Sequence, residues 1–106
     1  MRQLTPRELQ RMLAPDRDPP LLLDVREPWE VAVARIEGAF NLPMGRVMDG
    51  WRQLDPARET VVICHHGFRS AQVVLFLERA GFEWVANLDG GIDAWSREVD
   101  PIVPIY

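Results

Sequence analysis

Two short segments, residues 21–25 (LLLDV) and 60–64 (TVVIC), constrain the fold most. Each is apolar at nearly every position. That pattern, at that length, suits a strand covered on both faces rather than a helix. Helical patterns separate such segments along the chain. Short apolar strands alternating with helices predict an α/β domain with a mostly parallel sheet. Sheets of this kind place ligands beyond the carboxyl ends of their strands. The chain's one cysteine, Cys64, falls at that edge.

The remaining elements follow from local signals. Thr5 suits an N-cap, with Pro6 at N1 and Glu8 at N3 completing a capping box for a helix over 6–13. Leu4 and Leu9 occupy the hydrophobic-staple positions. A turn or short helix starts near Pro28. Residues 38–44 read as a short strand and 45–54 as a helix with Val47, Met48, Trp51 and Leu54 near one face. A helix over 69–81 stops at Gly81. A strand over 83–88 and a helix over 90–99 complete the chain. No repeat or linker divides it, so 1–106 reads as one domain, and at 47% apolar residues it has material for a core.

Composition narrows the function. A net charge of −4 argues against a nucleic-acid or anionic-membrane surface. The longest apolar runs, LLL and VVLFL, fall far short of a membrane span. The first residues, MRQLTPRELQ, show no apolar signal-peptide core. A lone cysteine makes no internal disulfide and fits a reducing compartment, so a cytoplasmic location is expected.

A free cysteine ending an apolar strand is usually a small buried hydrophobe. The residues after Cys64 argue for more. The loop to the next helix is short enough that it must curl, aiming several N–H groups at one spot. The helix N-terminus adds its unpaired N–H groups and positive dipole end. Gly67 permits positive φ within the curl. Arg69 brings a permanent charge, and His65 and His66 are partly protonated near neutral pH. Such surroundings favour a thiolate; a free thiol titrates near ~8.5, and comparable sites in other proteins lower that into a range of roughly 3.5–7.5. The same N–H groups suit an anion carried on the sulfur.

The stretch CHHGFRS closely resembles the active-site loop of the rhodanese family of sulfurtransferases. Three further segments resemble family segments in order and spacing: LLLDVREPWE, IEGAFNLP and LDGGIDAW. The resemblance implies a three-layer fold, with a mostly parallel central sheet flanked by helices. It implies a double displacement in which Cys64 takes sulfane sulfur from a small anionic donor, thiosulfate or a persulfide. The N–H groups of His66, Gly67, Phe68, Arg69 and Ser70 hold the Cys64 persulfide, and a thiol, a protein or cyanide removes the sulfur. No metal or organic cofactor is called for. Two positions depart from the family pattern. Ala34-Arg35 replaces a frequent Gly-His, and His65 replaces the Lys or Arg that often follows the cysteine. The second change weakens the fixed positive charge offered to a dianion.

Rival readings remain. A cysteine phosphatase needs its arginine one residue later, at position 70, which is Ser70. Arsenate reduction lacks a second, resolving cysteine. A docking module need not keep Cys64, Gly67 and Arg69, and a redox sensor needs an exposed reactive thiol. Asp24 and Arg26 end the first strand on the same edge as Cys64; they either support the loop from behind or cap a turn. The His65-His66 pair is a poor metal site on sequence grounds, since adjacent side chains project differently. The four tryptophans read as core or rim packing, with Trp29 and Phe68 candidates for the pocket mouth. Asp89, Gly90 and Gly91 make the turn into the final helix.

Overall fold

The computed structural model describes residues 1–106. Five strands form one parallel sheet in the order β1-β5-β4-β2-β3. They span Arg2–Leu4 (β1), Leu21–Asp24 (β2), Phe40–Asn41 (β3), Thr60–Ile63 (β4) and Val85–Leu88 (β5). The helices are Pro6–Met12 (α1), Pro28–Val33 (α2), Val47–Gly50 (α3), Phe68–Arg79 (α4) and Gly91–Glu98 (α5).

The apolar strands behave as their composition requires. In β4, Val61, Val62 and Ile63 are each 0% exposed, and burial of such side chains contributes about 1.5–3 kcal/mol apiece. Val62 and Leu23 pack with Val73, Val74 and Leu77 of α4. Val61, Ile63 and Leu22 face the other way, against Leu9 of α1 and Ile92 and Trp95 of α5. Alternate residues thus feed two cores, giving helix, sheet and helix layers. The capping box at α1 is present: Glu8 N–H donates to Thr5 Oγ1 at 3.1 Å, and Thr5 N–H donates to Glu8 Oε1 at 2.9 Å.

Three elements differ from the sequence reading. Residues 2–4 form an edge strand, paired Arg2↔Ala86 and Leu4↔Leu88; its mostly exposed side chains carry no strand pattern, and only the pairing with β5 makes it one. The helix expected over 45–54 is broken into two 3-10 turns, Met44–Arg46 and Trp51–Gln53, on either side of a single α turn. Gly45 and Gly50 lie within it, and glycine disfavours a continuous helix. The strand expected over 38–44 shrinks to Phe40–Asn41, because Pro43 lacks an N–H and the Asn41 amide turns back to the carbonyls of Asp24 and Arg26, both at 2.9 Å.

Candidate active site

Cys64 directly follows β4 at the carboxyl edge of the sheet. The chain curls through His65 and His66 to Gly67, which has φ of 98° and caps α4. This left-handed residue directs its own N–H onto Cys64 Sγ at 3.1 Å. Phe68, Arg69 and Ser70 form the first turn of α4, where N–H groups lack intrahelical acceptors. The loop carbonyls point the other way. Cys64 O accepts from Ile92 N at 2.9 Å and His65 O from Asp93 N at 3.1 Å. Gly91 lies against them so closely that a Cβ there would stand 2.5 Å from Cys64 O and nearer still to His65 O. The Gly90-Gly91 pair therefore does more than turn the chain; it lets α5 seat the loop.

Cys64 is 1% exposed, and Val25, Leu42 and Val73 belong to the same buried cluster. Its loop side is polar. Ser70 Oγ lies 3.2 Å from the sulfur and donates to Asn87 Oδ1. Asn87 Nδ2 donates to Gly67 O at 3.1 Å and to Gln3 Oε1 at 2.9 Å. A carbonyl only accepts, so Gly67 O fixes which end of the Asn87 amide faces it. Ser70 has one proton, and Asn87 takes it. A Cys64 thiol then donates to Ser70 Oγ; once ionised, the sulfur becomes the acceptor to which that hydroxyl turns. Asn87 and Gln3 escaped the sequence reading, since neither lies near the motif and a polar residue inside β5 was the one available signal.

Arg69 does not stand as a free cation. Its two Nη atoms bond Glu30 at 2.8 and 2.9 Å. Glu30, in α2, is 4% exposed and also accepts from Glu27 N at 2.9 Å and Tyr106 Oη at 2.8 Å. Arg69, with these other donors, holds the Glu30 carboxyl at about 2, and Glu30 raises Arg69 in turn. Glu30 was also missed. Its N3 place in α2 was readable as a capping position, but nothing local shows it reaching Arg69.

Asp24 and Arg26 do more than cap a turn. Arg26 is 0% exposed. It bonds Asp24 through Nε at 3.0 Å and Nη2 at 2.7 Å, and also reaches Ala34 O through Nη2 at 2.6 Å and Tyr106 Oη through Nη1 at 2.9 Å. Burial opposes its charge, yet Asp24 and Tyr106 hold it above its ordinary pKa. Tyr106, itself raised by burial, links this pair to Glu30.

The histidines differ from expectation. Their rings stack at 3.9 Å and 28°, and His65 also stacks on Tyr106 at 3.9 Å and 4°. Burial pushes the His65 pKa below its ordinary value, with His66 adding to the effect, so the protonated form is disfavoured there. His65, His66 and Asp93 bring ligand atoms within 4.8 Å of one another, so the two side chains do not project apart. The near-parallel ring planes cross well beyond the ~2.1 Å reach of a His–metal bond, which makes the stack a poor chelate. Phe68 is 79% exposed and Trp29 63%, the latter edge-on to Tyr106 at 6.1 Å.

A family model described as the rhodanese-like domain matches residues 5–98. The chain belongs to the rhodanese-like family. A sulfurtransferase of Allochromatium vinosum is 39% identical over 88 residues, covering 83% of this chain and 82% of its own. The chain spans only 30% of a larger relative, Rhodanese-like/PpiC domain-containing protein 12, chloroplastic, of Arabidopsis thaliana, at 41% identity and 80% coverage of this chain. Among solved structures, a rhodanese-like domain protein from Staphylococcus aureus superposes with a TM-score of 0.85 at 31% identity, covering 100% of this chain and 99% of that one. A Rhodopseudomonas palustris protein described as a possible tyrosine phosphatase superposes at 0.75 and 26% identity, covering 100% and 85%. The rhodanese-like sheet and flanking helices are those expected from the sequence. No helix is long and apolar enough to cross a membrane.

Proposed function

We propose that this rhodanese-like chain is a sulfurtransferase working through a persulfide on Cys64. The observation that carries the reading is the Gly67 N–H on Cys64 Sγ at 3.1 Å, at the head of a helix whose next N–H groups lack acceptors. The Cys64 thiolate attacks the outer sulfur of thiosulfate or of a hydropersulfide. The S–S bond of the donor breaks, and sulfite or the donor thiolate leaves with the electron pair. Cys64 then carries a terminal sulfur anion, facing amides fixed in place before the charge arrives. Cyanide or a thiolate attacks that sulfur, leaves as thiocyanate or a new persulfide, and restores the Cys64 thiolate. Relatives named sulfurtransferases support the reaction class.

The phosphatase reading is weaker on geometry. Position 70 is Ser70, and both Nη atoms of Arg69 are held by Glu30. Mass spectrometry after thiosulfate, then after cyanide, tests the choice. The protein is expected to gain one sulfur atom and lose it again. Cys64→Ala and Cys64→Ser are expected to fold within about 1–2 kcal/mol of the parent and to gain none. Sulfur turnover in either variant refutes the mechanism, and turnover of an aryl phosphate by the parent favours the phosphatase.

A further inference from the structure

The carboxylate facing Arg69 has no part in the double displacement, yet it sets the charge of the site. Residues 64–70 contain one permanent cation, Arg69. Glu30 pairs both of its Nη atoms. The neighbouring cation, Arg26, is fully buried and paired with Asp24. Across the site Asp93 is paired with Arg97 at 2.9 Å. The fixed charges around Cys64 therefore cancel pair by pair, in a chain whose net charge is −4. A donor with one negative charge loses little in such a site, whereas a dianion finds no unpaired permanent cation to offset its second charge.

Resting on the sulfurtransferase reading, we infer that Glu30 is a specificity-determining residue: by pairing Arg69 it weights the site toward singly charged hydropersulfides, RSS⁻, and against dianionic thiosulfate. Glu30 touches neither donor nor sulfur. It acts through Arg69.

Charge and mere support predict opposite results. Glu30→Gln keeps a hydrogen-bonding group of the same size but leaves Arg69 uncompensated. The ratio of kcat/KM for thiosulfate to that for the hydropersulfide of 2-mercaptoethanol, which carries a single negative charge, with cyanide as acceptor, is expected to rise about tenfold, the effect of one freed charge on one extra donor charge across a partly screened site. The gain should appear as a lower thiosulfate KM. Adding Arg69→Gln to Glu30→Gln should abolish it. A second measurement needs no variant. In the parent protein, kcat/KM for thiosulfate should stay flat or rise as salt is added, because no net attraction is there to screen. A falling salt dependence overturns the proposal even where Glu30→Gln fails to fold. A folded Glu30→Gln protein with an unchanged or lower donor ratio overturns it as well, while leaving the persulfide mechanism standing. Absence of sulfur on Cys64 from both donors in the parent refutes the sulfurtransferase reading itself, and this role with it.

Discussion

Gly91→Ala tests whether α5 seats the active loop. Gly91 has φ of 63°, and a Cβ placed there would press on the carbonyl oxygens of Cys64 and His65, which are backbone and cannot swing aside. Two costs add. The left-handed conformation costs a residue with a Cβ about 1–2 kcal/mol, and overpacking adds about 1–3 kcal/mol. The sum, about 2–5 kcal/mol, is a large part of the ~5–15 kcal/mol that holds a domain together. Gly81→Ala is the control. Gly81 has φ of 99° with nothing within 4 Å of its would-be Cβ, so it carries the first cost alone. With urea m-values of about 1–3 kcal/mol/M, the Gly91 variant should unfold at clearly lower urea than the Gly81 variant. Relief of the overlap moves the loop, and displacement near 1 Å can cost about 100-fold in rate. Sulfur loading should fall accordingly in Gly91→Ala and persist in Gly81→Ala. Equal midpoints with equal loading would refute the seating role.

Three further outcomes are expected. Asn87→Ala strands the Gly67 carbonyl and the Ser70 hydroxyl, costing about 1–3 kcal/mol and slowing loading; unchanged urea midpoint and rate would count against the network. Arg69→Ala leaves Glu30 as a buried unpaired carboxylate and should cost about 1–3 kcal/mol after allowance for Arg69's partial exposure, most of it recovered by adding Glu30→Gln; full additivity of the two changes in a double-mutant cycle would dismiss the pair. Glu30 sits at about 2 when folded against ~4.3 unfolded, so its stabilisation is fully present above that higher value and is lost as pH falls toward the lower. Wild type should therefore lose more stability than Glu30→Gln between those limits, and parallel curves would show the pairing contributes nothing.

The readable parts of the fold were those whose cause is local. β2 and β4 announced themselves because burial on both faces demands continuous apolar residues, and α1 because its capping box is written within four positions. β1 was not readable, since its order comes from β5. The site divides the same way. Cys64 through Ser70 form one loop, so their nearness is guaranteed by covalent connection. Glu30, Asn87, Gln3 and Tyr106 reach that loop from α2, β5, β1 and the last residue, and only the assembled sheet brings them together. The charge of Arg69 was legible; its neutralisation was not.

The inward amides and outward carbonyls of the loop have a mechanical consequence. Each oxygen of residues 64 and 65 is already engaged by α5, so in the proposed sulfur transfer neither of these peptide units has to rotate to find a new partner. On that proposal the backbone is a rigid socket, and the motion of each turnover falls to the Ser70 hydroxyl proton and to side chains at the rim.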